Sequence, residues 1–142
     1  MIELRYYRDG GQSAVDVANQ VAEFLGAAQK SLELALYDIR LHDEAAEIVK
    51  GALLGAQDRG VAVRLVYNIS HPGPIPVPPP PKTAPELLEA LPIPTRPIPG
   101  EPDLMHHKYV VRDRAAVWTG SMNWTNVSWS RQENAVVVAE SP

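Results

Sequence analysis

The chain has 142 residues, 45% of them hydrophobic, which suits one domain with one sizeable core. It carries a formal net charge of −4 and no cysteine. Disulfides and Cys-based zinc or redox centres are therefore excluded, and capture of nucleic acid by a broad basic surface is disfavoured. A local basic site remains compatible, because exposed charges more than about 8–10 Å apart are largely screened at ordinary salt.

The opening Met1-Ile2-Glu3-Leu4-Arg5 has an early acid and no long apolar run, so it does not read as a secretory signal. No stretch approaches transmembrane length. A cytoplasmic location is expected. Ile2 to Tyr7 reads as a first strand, broken by Asp9-Gly10-Gly11. Ser13 is the expected N-cap of a helix whose inner stripe is Val17, Val21, Phe24, Leu25 and Ala28. Leu32 to Ile39 is a mostly apolar run suited to a strand covered on both faces. Asp43 is the expected cap of a second helix, with Ala45, Val49, Ala52, Leu53 and Ala56 inward and Gly60 at its stop. Val61 to Tyr67 is a third strand. Strand, helix, strand, helix, strand implies right-handed crossovers. The expected fold class is α/β, with a mixed, largely parallel sheet flanked by helices on both faces.

Thirteen of the 14 prolines fall between Pro72 and Pro102. Missing donors and fixed φ make regular sheet unexpected there, apart from a short helix around Ala84 to Leu91. Residues 71–102 thus read as an insertion in a single domain spanning 1–142. As a long loop it is a stiff surface excursion or a wall beside a site. Pro78 to Pro81 formally contains P-x-x-P but lacks the basic flank of such ligands. From Met105 a strand is expected, with His106, Lys108 and Val110 on one side and His107, Tyr109 and Val111 on the other. Asp113-Arg114 turns the chain, Ala115 to Thr119 returns as a neighbouring strand, and Gly120-Ser121 opens a short helix to about Ser130. Ala135 to Ala139 is a last buried strand.

His106, Lys108, Asp113, Gly120, Ser121 and Asn123 read H-x-K-x4-D-x6-G-S-x-N. A neutral imidazole can attack phosphorus and split one displacement into two. An ammonium two residues on, with an amide donor, can hold the charge that develops on the phosphate oxygens. A lone histidine is more often a surface residue, and His42 and His71 are read that way. His106 differs by its company, whereas His107 points away from Lys108. Gly120-Ser121 alone would read as a turn and a cap. Ser121, at a helix start, can add donors. Asp113 lies at a turn and reads as its structural anchor. Glu133 precedes the apolar Ala135-Val136-Val137-Val138, where an unpaired carboxylate is costly. A catalytic imidazole needs an acceptor for its second nitrogen, and Glu133 reads either as such a group or as an exposed charge at a strand entrance. The tryptophans Trp118, Trp124 and Trp129 read as core, and no residue set calls for a metal or other cofactor.

This constellation, complete in residue type and spacing, resembles the HKD motif of the phospholipase D superfamily, and the layout is similar to the small single-motif bacterial nucleases. The resemblance implies a phosphodiesterase in which His106 is the nucleophile, Lys108 and Asn123 bind the substrate phosphate with support from Ser121, Asp113 and Gly120 are structural motif residues, and Glu133 orients the imidazole. That chemistry uses two imidazoles, one attacking and one carrying protons. A single motif copy implies a homodimer with a shared site or pairing with a second motif-bearing half. Relatives usually continue with a further helix after the last strand, so the chain reads as a short member or as one half of a two-motif protein. The expected activity is a metal-independent endonuclease of low sequence specificity on DNA or RNA. Arg112, Arg114, Arg131 and Lys82 are the candidate basic rim. One alternative is a phospholipid hydrolase or phosphatidyl transferase similar to phospholipase D or cardiolipin synthase, with Ile75, Val77, Ile93 and Ile98 as a lipid-facing lip. Another is a non-catalytic module that binds phosphate backbones or dimerises.

Overall fold

The computed structural model describes residues 1–69, 85–99 and 104–141. The elements are β1 (Ile2–Tyr7), α1 (Ala14–Gly26), β2 (Ser31–Leu36), β3 (Ile39–Arg40), α2 (Asp43–Asp58), β4 (Ala62–Ile69), α3 (Pro85–Glu89), β5 (Thr95–Pro99), β6 (Lys108–Arg112), β7 (Ala116–Gly120), β8 (Trp124–Thr125), α4 (Asn126–Ser130) and β9 (Asn134–Glu140). Ser13 caps α1 as expected. Its Oγ accepts the Asp16 N–H at 3.1 Å, and the Asp16 carboxylate accepts the Ser13 N–H at 2.8 Å, a reciprocal capping box. The cap of α2 is not Asp43 but His42, which makes no side-chain cap bond. Asp43 is instead the first helical residue, at φ 55°, and its carboxylate meets the His42 ring at 2.7 Å.

Seven strands form one sheet in the order β1-β9-β7-β6-β2-β4-β5, and β3 and β8 form a separate pair. The fold class is α/β with a mixed sheet, but the sheet is not largely parallel. Only β2–β4 and β4–β5 are parallel; β6, β7, β9 and β1 add antiparallel neighbours. The short Asp113-Arg114 turn forces β7 to return along β6, and β1 joins the far edge instead of pairing with β2. Nor do the described helices occupy both faces. The crossovers β2–α2–β4 and β4–α3–β5 step the same way across the sheet, so right-handedness places α2 and α3 on one face. There α1 packs on α2 and α4 on α1. The buried Leu32, Leu34, Leu36, Val63, Leu65, Val110, Trp118, Val136 and Val138 point into this layer. On the other face Val66, Tyr109, Val111, Val117 and Val137 are only half-buried, and a Glu33–Arg64 ion pair crosses between β2 and β4.

Two local departures bear on the site. The expected strand to Ile39 stops at Leu36. The chain bends at Tyr37, and Ile39-Arg40 leaves the main sheet to pair with Trp124-Thr125. Regular sheet also appears where prolines made it unexpected: β5 pairs Pro97 with Tyr67 and Pro99 with Ile69. Because β5 is an edge strand, the missing N–H groups interrupt no second ladder. The Pro78 to Pro81 run, Ile75, Val77 and Lys82 lie outside the described residues.

Candidate active site

Strands β1, β7, β2, β4 and β5 end at one edge of the sheet, where β9 and β6 begin. His106, Lys108, Gly120, Ser121 and Asn123 collect along that edge, whereas Asp113, at the β6–β7 turn, lies at the opposite end. β6 starts at Lys108, which pairs with Leu36, the last residue of β2. His106 therefore precedes the strand instead of lying within it. The segment leading to it is held from below by fully buried Asn68, whose Oδ1 accepts the Met105 N–H at 3.3 Å and whose amide donates to the Ile69 carbonyl at 3.0 Å. His107 sits beside Tyr109, ring centroids 5.5 Å apart, away from Lys108 as the alternation requires.

Tyr37, just past the end of β2, connects the two leading residues. Its backbone N–H donates to the His107 carbonyl at 2.7 Å. Its ring lies edge-on to His106, centroids 4.5 Å apart and planes at 68°. The Lys108 Nζ sits 4.9 Å from the centre of the same ring and donates to the His106 carbonyl at 2.9 Å. The His106 ring is thus open to solvent on one side and shielded on the other. That shielding, with the Lys108 charge and His107, lowers its pKa below the usual imidazole value. Burial also lowers the pKa of half-buried Lys108, against the opposing pull of Asp38. Asp38 is 3% exposed and is gripped by both arms of Arg40, at 2.8 and 2.7 Å. Its backbone carbonyl accepts the Trp124 N–H at 3.0 Å, which brings the Asn123-Trp124 segment to the end of β2. Asn123 is half-buried, and its Oδ1 is buried with no hydrogen-bond partner among the described residues.

Gly120 ends β7 opposite Val136. A Cβ there would lie 2.1 Å from the Ala135 carbonyl oxygen, so close approach and not a turn demands glycine. Ser121 does not open a helix. Its hydroxyl donates to Asn134 Oδ1 at 2.8 Å and accepts the Ala135 N–H at 3.1 Å, and its own N–H donates to the Ala135 carbonyl at 3.0 Å. With all three groups committed to β9 the residue cannot cap. The helix starts five residues later at Asn126, capped by the Thr125 hydroxyl on the Ser128 N–H at 3.0 Å. The helix-dipole contribution expected at Ser121 is therefore lost.

Asp113 anchors the turn through distant backbone. Its carboxylate accepts the N–H groups of Gln29, Lys30 and Ser31 at 2.6–3.1 Å. Burial alone would raise its pKa, but those N–H groups and the Arg112 charge outweigh it and hold the carboxyl low. Glu133 is exposed and lies just before β9, not in it; its carboxylate makes no hydrogen bond or ion pair among the described residues. The structure does not bring it into bonding contact with His106. It lines a cavity of about 360 Å³ at this edge with Tyr6, Tyr7, Arg8, Ser121 and Asn134. Of the candidate basic rim, Arg112 is paired with Glu140 near the opposite end of the strands, and Arg114 lines a hollow with Ala116 and Ser141 there. Arg131 pairs with Asp9 at 2.7 Å, close to the site edge. Arg8, overlooked in the sequence, stands at that edge with its guanidinium unpaired among the described residues. Tyr37, Asp38, Arg40 and Asn68 were likewise missed. Polar residues at the carboxyl ends of apolar strands were the signal that pointed to them, since sites in open α/β sheets form there.

Residues 21–142 match the family described as cardiolipin synthase, PLD-like domain. No match is found among curated protein sequences. Among solved structures, the chain superposes on Nuc from Salmonella typhimurium, described as a phospholipase D family member, with a TM-score of 0.71 and 24% identity, over 100% of this chain and 84% of that one. NucT from Helicobacter pylori gives 0.65 and 15% identity over 99% of this chain and 86% of that one. Phosphatidylserine synthase from Haemophilus influenzae Rd KW20 gives 0.69 and 10% identity over 99% of this chain and 35% of that one. At these identities the structures show a common fold. The family match itself runs through most of the chain, including every motif residue at the sheet edge, and by it the protein belongs to the phospholipase D-like domain family.

Proposed function

We propose that this protein is a metal-independent phosphodiesterase that works through a phosphohistidine at His106, and that it acts on nucleic acid as an endonuclease of low sequence specificity. The carrying observation is the open His106 ring, its pKa lowered by burial and by the Lys108 charge, set against the same Tyr37 ring as the Lys108 ammonium. In the first step an imidazole nitrogen bonds to phosphorus while the bond to the leaving oxygen breaks, and that oxygen takes a proton from a second imidazole. In the second step water, deprotonated by that same imidazole, bonds to phosphorus and the P–N bond breaks. Lys108 and the Asn123 amide hold the non-bridging oxygens. Glu133, at the same edge, takes the far nitrogen of His106 in the assembled site. The chain has one such motif, so the second imidazole comes from a second copy, in a homodimer whose two-fold axis passes beside the site, or from another motif-bearing half.

The nucleic-acid reading rests on the motif resemblance to small bacterial nucleases and on near-full-length superposition with Nuc and NucT, against about a third of the phosphatidylserine synthase. The family description and that synthase favour a second reading, a phospholipid hydrolase or phosphatidyl transferase. Incubation with DNA, RNA and phosphatidylcholine vesicles in excess EDTA, beside His106→Ala, separates them. Cleavage of nucleic acid alone, abolished in the variant, is the expected result. Choline release would replace it with the second reading, and a requirement for divalent metal would end both. Sedimentation should give a dimer; an active monomer would refute the shared site.

A further inference from the structure

The mechanism above leaves one well-placed aromatic residue unused. Tyr37 touches the two groups on which the phosphodiesterase reading rests, yet it lies 69 and 71 positions from them in sequence. We propose that Tyr37 is a positioning residue of this site, whose ring fixes the His106 imidazole and the Lys108 ammonium relative to one another so that both meet one phosphate. Its role rests on that reading only for what the fixed pair does, not for the contact itself.

Three observations support it. The ring presents itself to both partners at once, edge-on to His106 at 4.5 Å between centroids and 4.9 Å from the Lys108 Nζ. Such contacts are directional, through the ring quadrupole, and restrict where each partner can sit. Tyr37 is itself firmly mounted. It follows the Leu36–Lys108 pair, its N–H is bonded to the His107 carbonyl, and the next residue, Asp38, is buried and clamped by Arg40. Finally, Lys108 is held at two points, the ring and the His106 carbonyl, so its four-carbon stem has lost most of its freedom before substrate arrives.

The ring also keeps water from one side of His106. Among the described residues, the other charged or titratable groups that act on the imidazole are Lys108 and His107, both of which lower its pKa; Asp38 and Arg40 form a closed pair next to Tyr37 in sequence. Removing the ring therefore re-solvates the imidazole and moves its titration upward toward the ordinary value.

The test compares Tyr37→Leu with Tyr37→Phe, which keeps the ring and loses the hydroxyl. Titration of the His106 ring protons by NMR in the free protein needs no activity. Tyr37→Leu should raise the His106 pKa and Tyr37→Phe should leave it in place, with both variants showing wild-type circular dichroism. In the phosphodiesterase assay Tyr37→Leu should lower kcat at least tenfold with a smaller change in KM and shift the acid limb upward, and Tyr37→Phe should recover kcat to within about threefold. An unshifted His106 titration in well-folded Tyr37→Leu overturns the proposal. So does equal impairment of both variants, which would assign the effect to the hydroxyl. If no substrate is turned over by the wild type, the functional reading fails, while the NMR titration still decides whether Tyr37 controls His106.

Discussion

A Cβ on Gly120 would stand 2.1 Å from the carbonyl oxygen of Ala135, closer than any side chain is tolerated. The atom in the way is β9 backbone, so it cannot rotate aside. The glycine of the motif is thus a packing requirement of the β7–β9 seam. That seam also carries Ser121 and its three bonds to Asn134 and Ala135.

Gly120→Ala should therefore be costly. Pushing the two strands apart is an overpacking defect of about 2–3 kcal/mol. Urea unfolding should show the midpoint falling with little change in slope. An unchanged midpoint would mean that the seam relaxes freely.

Asp113→Asn should loosen the link between the β6–β7 turn and the start of β2. The turn has positive φ at both central residues, Asp113 at 57° and Arg114 at 56°, with the Ala115 N–H on the Arg112 carbonyl. This is type I′ geometry, which usually recruits Asn-Gly. The three charge-assisted bonds to Gln29, Lys30 and Ser31 offset that strain. After discounting for solvent exposure the loss should be about 1–2 kcal/mol. Because the folded carboxyl has the lower pKa, its contribution is fully present above the unfolded value of about 3.9 and fades as pH falls through the folded one. The wild type should lose stability on acidification in that window, and Asp113→Asn should lose less.

Lys108→Met should reduce kcat on the order of 10²- to 10³-fold, as expected for removal of a charge-stabilising donor. It should also raise the His106 pKa, since the lysine charge is one of the groups that lower it. On the proposed mechanism the neutral form of His106 persists to a pH below the ordinary imidazole value of about 6.5, so the acid limb of kcat/KM should fall below that pH. An acid limb at or above 6.5 would contradict the geometry of the shielded ring.

Asp38→Asn should act on the opposite limb. Asp38 is the group that raises the Lys108 pKa against burial. Without its charge the ammonium loses its proton at lower pH, so the basic limb should move down. Arg40, 45% exposed at its side chain, can re-solvate, which limits the stability cost to about 2 kcal/mol. A pH–rate profile and a urea titration on one preparation check both parts.

Much of the scaffold was readable from residue pattern. The Ser13 capping box and β1 at Ile2–Tyr7 follow from local rules of capping and alternation. What failed was set by distant partners. Ser121 resembles a helix cap until β9 claims its hydroxyl, and Thr125 then takes the role. Pro97 and Pro99 oppose a strand until the edge position makes their missing donors harmless. The helix layer was misassigned because pattern reveals which side of an element is apolar but not which face of the sheet receives it. Glu133 was expected in an apolar setting, yet it stands in solvent one residue before the strand begins. Tyr37 read as strand, and only the bend after Leu36 brings its ring to His106.

β1 is paired along its whole length with β9, from Ile2 opposite Ala139 to Tyr7 opposite Asn134, and the Met1 ammonium donates to the Glu140 carbonyl at 2.8 Å. Residues 2–7 thus find their partners 127 to 137 positions further along the chain. As an edge strand beside β9, β1 draws its ladder of hydrogen bonds from no local neighbour. Closing so long a loop costs entropy before the pairing returns anything, so docking of β1 belongs to the slow part of folding.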